Sequence, residues 1–121
     1  FGDMPVGTTV ALPGSDAIEA PSFARLLARP ELYHLKRLRL IGFLNLEFEG
    51  NALYHLEDEY RHSQDSDALW VDVEGMKAQP PFARGWVIVE GTFNGERRGH
   101  FSAFAGTLEK ITRLEAWKPQ R

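Results

Sequence analysis

Cysteine is absent from the 121 residues. Disulfides, thiolate zinc sites and cysteine nucleophiles are excluded together. The compartment stays open, because reducing and oxidising compartments both hold Cys-free proteins. No apolar run approaches the ~20 residues that carry a helix across a bilayer. Basic residues are in deficit: 14 Lys and Arg stand against 17 Asp and Glu, a net charge of −3. A general binder of phosphate backbones gains affinity by displacing counterions with Lys and Arg. The charge therefore argues against nucleic acid as a partner and leaves room only for a local basic stripe. A phosphate-cradling loop is missing too, since Gly95 and Gly99 lack a following Gly-Lys-Ser/Thr. The chain begins at Phe1 rather than Met. It is expected to have been processed or trimmed, and to be cytoplasmic, or exported with its signal peptide removed.

The remaining composition, 43% hydrophobic and 26% charged, is that of a soluble globular domain. The length allows one hydrophobic core. Residues 1–21 are rich in Gly, Pro, Thr and Ser and show no sustained period, which reads as an extended or partly disordered arm. Within it, Val10, Ala11 and Leu12 offer a short edge strand. Residues 22–121 carry the domain.

Ser22 is placed to cap a short helix, with Phe23, Leu26 and Leu27 on one face and Pro30 as its stop. From Lys36 to Glu49 the pattern has a period of two. Leu38, Leu40, Leu44, Leu46 and Phe48 fall on one side, and Arg37, Arg39, Asn45, Glu47 and Glu49 on the other. Ile41 and Phe43 are exceptions on the polar side. A straight strand of this length would span roughly 40 Å. It must coil, and Gly42, in the apolar register, is the expected bend.

Further strands are expected at Ala52–Leu56, Ala68–Val73 and Trp86–Phe93, with Phe101–Phe104 continuing as strand. Glu57–Arg61 suits one helical turn, and Asn94-Gly95 a hairpin turn that Gly99 closes. In Gly106–Trp117, Leu108, Ile111, Leu114 and Trp117 recur every third residue. Gly106-Thr107 and Ile111-Thr112 favour a bulged fifth strand. A closing helix is the alternative. The expected fold is mainly β, a five-stranded barrel with one or two short helices, because closure removes exposed edges.

Several segments resemble a group of small, uncharacterised bacterial OB-fold proteins. They are Arg39-Leu40-Ile41-Gly42-Phe43-Leu44, Leu46 to Tyr54, Ala68-Leu69-Trp70-Val71-Asp72-Val73, Val89-Glu90-Gly91-Thr92-Phe93-Asn94 and Ile111-Thr112-Arg113-Leu114-Glu115. The likeness covers residues 23–117 and departs at Pro80-Pro81. It implies an OB-fold-like barrel and brings no catalytic residue set.

Four groups of residues bear on chemistry. His55, Asp58 or Glu59, and His62 share a face if helical, as a weak metal set. His55 is expected to end a strand, which breaks the spacing, and a solvated polar turn is the plainer reading. Glu47 and Glu49 lie on one strand face without the cleft that paired acid–base carboxylates need. Ser63 follows His62 without the glycines of a nucleophile elbow. The third group is aromatic: OB folds bind on the face of strands two and three, which here offers Tyr54, His55 and Trp70, with Tyr60 nearby. Trp70 is out of phase with Leu69, Val71 and Val73, so one set faces outward. The fourth is the basic loop tip with Arg97, Arg98 and His100, placed for an anionic ligand or as an ordinary hairpin tip.

The expected function is a non-catalytic binding or interaction module, holding a protein or small ligand without a cofactor. The alternative is single-stranded nucleic-acid or oligosaccharide binding. A metal-dependent enzyme ranks third.

Overall fold

The computed structural model describes residues 17–46, 51–62, 65–74, 76, 83–99 and 103–117. The expected mainly β architecture is present. Strand β1 is Ile18–Glu19, β2 Arg37–Asn45, β3 Ala52–Tyr54, β4 Leu69–Val71, β5 Arg84–Asn94 and β6 Gly106–Ala116. Helix α1 is Phe23–Ala28 and α2 is Glu57–Arg61. Five strands close on themselves in the order β2-β3-β4-β6-β5, and β5 returns to β2. All neighbours are antiparallel except β4 and β6, which run parallel. The extra strand β1 pairs parallel with Arg37 and Leu38, so residues 18–19 of the expected arm belong to the sheet. The proposed edge strand at Val10–Leu12 lies outside the described residues. Among the described residues, no helix is long and apolar enough to cross a membrane.

The period of two in β2 is real. Leu38, Leu40 and Leu44 are buried in the main core, while Arg39 and Ile41 are exposed. Strand β2 also serves two neighbours on one edge: β1 takes its start, and β3 takes Phe43 to Asn45. Gly42 sits at the changeover. A Cβ there would lie 2.7 Å from the Tyr54 carbonyl oxygen and 2.9 Å from Leu53 Cγ, so β3 approaches this closely only against glycine.

The barrel interior is filled by side chains rather than open. Leu53, Leu69, Val71, Val87, Val89, Phe93 and Leu108 join the β2 leucines at about 1% exposure or less. Each such burial contributes about 1.5–3 kcal/mol. Helix α1 adds Phe23 and Leu26 to this core. Its start is capped as expected: the Arg25 N–H donates to Ser22 Oγ at 3.1 Å.

The three-residue spacing in β6 comes from a bulge, and the bulged-strand reading holds over the helix. Between the pairs Glu90↔Arg113 and Thr92↔Glu109, β5 advances two residues and β6 four. Lys110, at φ 53°, turns the strand there. Leu108, Ile111 and Leu114 all remain in the core as a result.

The strands expected at Ala52–Leu56 and Ala68–Val73 are shorter, ending at Tyr54 and Val71, and a further expected strand is not formed. Ala103 and Phe104 are not strand, and β6 begins only at Gly106. The backbone is diverted into a local ring instead. The Phe104 N–H donates to the Arg98 carbonyl at 3.0 Å, and Arg98 Nε donates back to the Phe104 carbonyl at 2.8 Å. This aims the Phe104 ring at Trp70.

Candidate functional site: an aromatic layer outside the barrel

Strand alternation sends a second apolar set to the outer surface. In β2, Phe43 points opposite to Leu44. In β3, Ala52 and Tyr54 point opposite to Leu53, and in β4, Trp70 points opposite to Leu69 and Val71. These side chains form a cluster separate from the barrel core, built from Phe43, Ala52, Tyr54, Ala68 and Phe104 with Tyr60, Trp70 and Trp86 against it.

The rings touch in sequence. Trp86 lies directly across from Phe43 in the ladder, with centroids 5.8 Å apart and planes nearly perpendicular. Phe43 meets Tyr60 at 5.3 Å, and Tyr60 meets Tyr54 at 5.7 Å. At the other end Trp70 meets Phe104 edge-on at 5.4 Å. Such tilted contacts suit the ring quadrupole. Ala52 and Ala68 supply the small residues between, and Ala52 pairs with Trp70 across the strands.

Helix α2 delivers Tyr60. Its first turn is acidic, which suits the positive end of a helix. The Glu59 carboxylate accepts the Leu56 N–H at 3.3 Å, and Glu57 pairs with Arg61 at 2.6 Å. Tyr54 is buried beneath, and its hydroxyl donates to Asp65 Oδ1 at 2.8 Å. Tyr60, Trp70 and Trp86 keep part of their surface open to solvent.

Two arginines flank the layer. The Arg84 guanidinium stands 5.2 Å above the Tyr60 ring, and its Nε donates to Asn45 Oδ1 at 3.1 Å. Arg98 lies at the Phe104 end. Both are exposed, and neither has a carboxylate partner among the described residues. Gly99, at φ 71°, lets the loop pass under Trp70. A Cβ at Gly99 would lie 2.7 Å from Trp70 Cβ.

The residues singled out in the sequence divide. Tyr54, Tyr60, Trp70 and Arg98 come together in this layer. His55 does not. It stacks on Phe23 of α1 with centroids 5.4 Å apart and planes 9° from parallel. Arg97 is committed elsewhere, to Asp72 at 2.7 Å and Glu109 at 3.4 Å. Burial works to raise the Asp72 carboxyl, but hydrogen bonds from Arg97 and the Glu74 N–H outweigh it and hold Asp72 below its ordinary range. His100, Glu47, Glu49 and Ser63 lie outside the described residues. The weak metal set is not assembled. His62 Nδ1–H donates to the Asp58 carbonyl at 2.8 Å. Among the described residues, no three His, Cys, Asp or Glu side chains converge as a metal ion needs.

Phe43, Trp86, Phe104 and Arg84 were not singled out. One signal was legible for Phe43: it broke the polar side of the β2 pattern. Trp86 and Phe104 carry no local mark, because only the strand register and the Arg98–Phe104 ring bring them there.

A separate hollow of about 300 Å³ is lined by Pro30, Glu31, His34, Gly95 and Glu96. The Gly95 N–H donates to His34 Nδ1 at 3.1 Å, so the neutral ring carries its proton on Nε2, 3.8 Å from Glu96. The hydrogen bond and charge of Arg29 hold Glu31 below its ordinary range. Comparison of the chain with protein-family models, curated proteins and solved structures finds no match.

Proposed function

We propose that this chain is a non-catalytic binding module of the OB type. Its site is the outer face of β2, β3 and β4, where it holds a protein or small ligand. Support for the OB type comes from the strand order and from a long first barrel strand shared between two neighbours. The observation that carries the binding reading is the aromatic layer itself. A filled barrel does not need these rings in its interior, yet Tyr60, Trp70 and Trp86 stay partly open beside Arg84 and Arg98. Rings of this kind anchor flat or apolar ligand groups, and exposed guanidinium groups without a carboxylate partner among the described residues suit anionic or acceptor groups next to them.

Two of the described carboxylates serve as counter-ions to arginine. Glu90 is held below its ordinary range by Arg39 and Arg113, and Asp72 by Arg97, so both stay ionised as counter-ions.

A second reading, single-stranded nucleic acid or oligosaccharide, draws on the same two arginines beside stackable rings. Intrinsic tryptophan fluorescence separates the two. Titration with labelled oligonucleotides at low salt and with oligosaccharides tests the second reading, and stoichiometric capture from a native lysate tests the first. Trp70→Ala and Arg98→Ala should each weaken the authentic ligand at least tenfold while the fold persists. Binding unaffected by both substitutions would overturn the site.

A further inference from the structure

Strand β6 has two edges, and its second half uses only one. On one side, Val87 to Glu90 of β5 pair with Arg113 to Ala116. On the other, β4 reaches only Gly106 to Leu108, where the Asp72 N–H closes on the Leu108 carbonyl at 2.9 Å. Beyond that point no described strand lies on the outer edge of β6.

The direction of the backbone groups follows from one bond. The Trp117 N–H donates to the Trp86 carbonyl at 2.9 Å. Antiparallel alternation then turns the amides of Arg113 and Glu115 towards β5 as well. The N–H and C=O groups of Leu114 and Ala116 point the other way, off the barrel. An edge like this is a template for another strand.

We propose that this edge, from Thr112 to Ala116, pairs with the same edge of a second copy of the chain. The strands run antiparallel about a two-fold axis at Leu114. The charges argue for this occupant. Arg113 and Glu115 lie on the same outer face, joined at 3.1 Å, and Glu115 is 60% exposed. With Leu114 on the axis, Arg113 faces Glu115 of the partner subunit, and Glu115 faces Arg113 of the partner subunit. Both are pairs without mutual backbone hydrogen bonds, where side chains approach most closely. Leu114 on the axis exchanges its outward backbone bonds with its own counterpart. A parallel, in-register pairing would instead set Arg113 against Arg113 and Glu115 against Glu115. The pattern therefore selects a closed two-fold dimer, which uses up both edges and stops at two copies.

Sedimentation across a concentration series, with amide hydrogen exchange, tests this. The expected result is a monomer–dimer equilibrium in which the Leu114 and Ala116 amides gain protection as concentration rises. The Arg113, Glu115 and Trp117 amides, already bonded to β5, should be protected throughout. Glu115→Arg should weaken association roughly tenfold or more, because two attractive cross-strand pairs become two repulsive ones. Ala116→Pro removes an outward N–H that β5 does not use, and should abolish the dimer while leaving the thermal midpoint of the monomer unchanged. Three outcomes each overturn the proposal: a monomer at every concentration, a dimer without protection at Leu114 and Ala116, or their full protection in the monomer.

Discussion

Ile111 fills the space that Gly91 leaves empty: a Cβ built on Gly91 would stand 2.7 Å from Ile111 Cδ1. The β6 bulge pushes Ile111 inward at this point, and β5 accommodates it by carrying no side chain. Gly91→Ala is expected to destabilise the fold by about 1–3 kcal/mol through overpacking. Ile111→Val removes the crowding atom and should recover part of that loss when combined with Gly91→Ala. Urea unfolding of the single and double variants measures the coupling. Purely additive effects would show that the contact does not matter.

Glu90 is clasped by Arg39 at 2.8 Å and Arg113 at 2.9 Å. Its side-chain hydrogen bonds to the two arginines are what lower its pKa. A carboxyl depressed on folding contributes stability above its unfolded value, near 4.3. That contribution is lost as pH falls through the lower folded value. Wild type should therefore lose stability below about pH 4.5, and Glu90→Gln should show a smaller acid-induced loss. At neutral pH, Glu90→Gln should cost about 1 kcal/mol, since both arginines remain partly solvated. Thermal melts between acid and neutral pH decide this, and identical pH profiles would refute it.

Gly99→Ala should destabilise the loop beneath Trp70 by about 1–3 kcal/mol. Two causes add: the positive φ and the 2.7 Å approach to Trp70 Cβ. The near-ultraviolet circular dichroism of the tryptophans should change with it. An unchanged spectrum and melt would mean the loop does not pack on Trp70.

Lys110 holds φ 53° without being glycine. Lys110→Gly should stabilise the protein by about 0.5–1 kcal/mol, because the left-handed conformation no longer costs a side-chain clash. The hydrogen bond from Arg37 uses the Lys110 carbonyl and survives the change. A lower melting temperature in this variant would show that the bulge depends on the lysine side chain.

Local pattern was a good guide wherever a side chain's partner was water or the barrel interior. The period of two in β2 and the opposed phases of Trp70 and its neighbours rest on that rule, the Ser22 cap and the bulged reading of β6 on capping and strand propensity, and all are present, with Trp70 in the outer set. The same rule misplaced Phe104. Phe101–Phe104 reads as strand, but the Phe104 backbone bonds go to Arg98. It also grouped His55 with Tyr54, although β3 ends at Tyr54 and His55 stacks on Phe23 instead.

By itself, then, the order of apolar and polar residues determined a mainly β chain and which residues of each strand are buried, because alternation decides burial residue by residue. Tertiary structure decided the aromatic layer and the outer edge of β6. Phe43 and Trp86 become neighbours through a register between strands some forty residues apart. Likewise, β6 is left with an outer edge because β4 is only three residues long. Both depend on which strands lie side by side, and hydrogen bonds between distant segments set that, not the periodicity within any one of them.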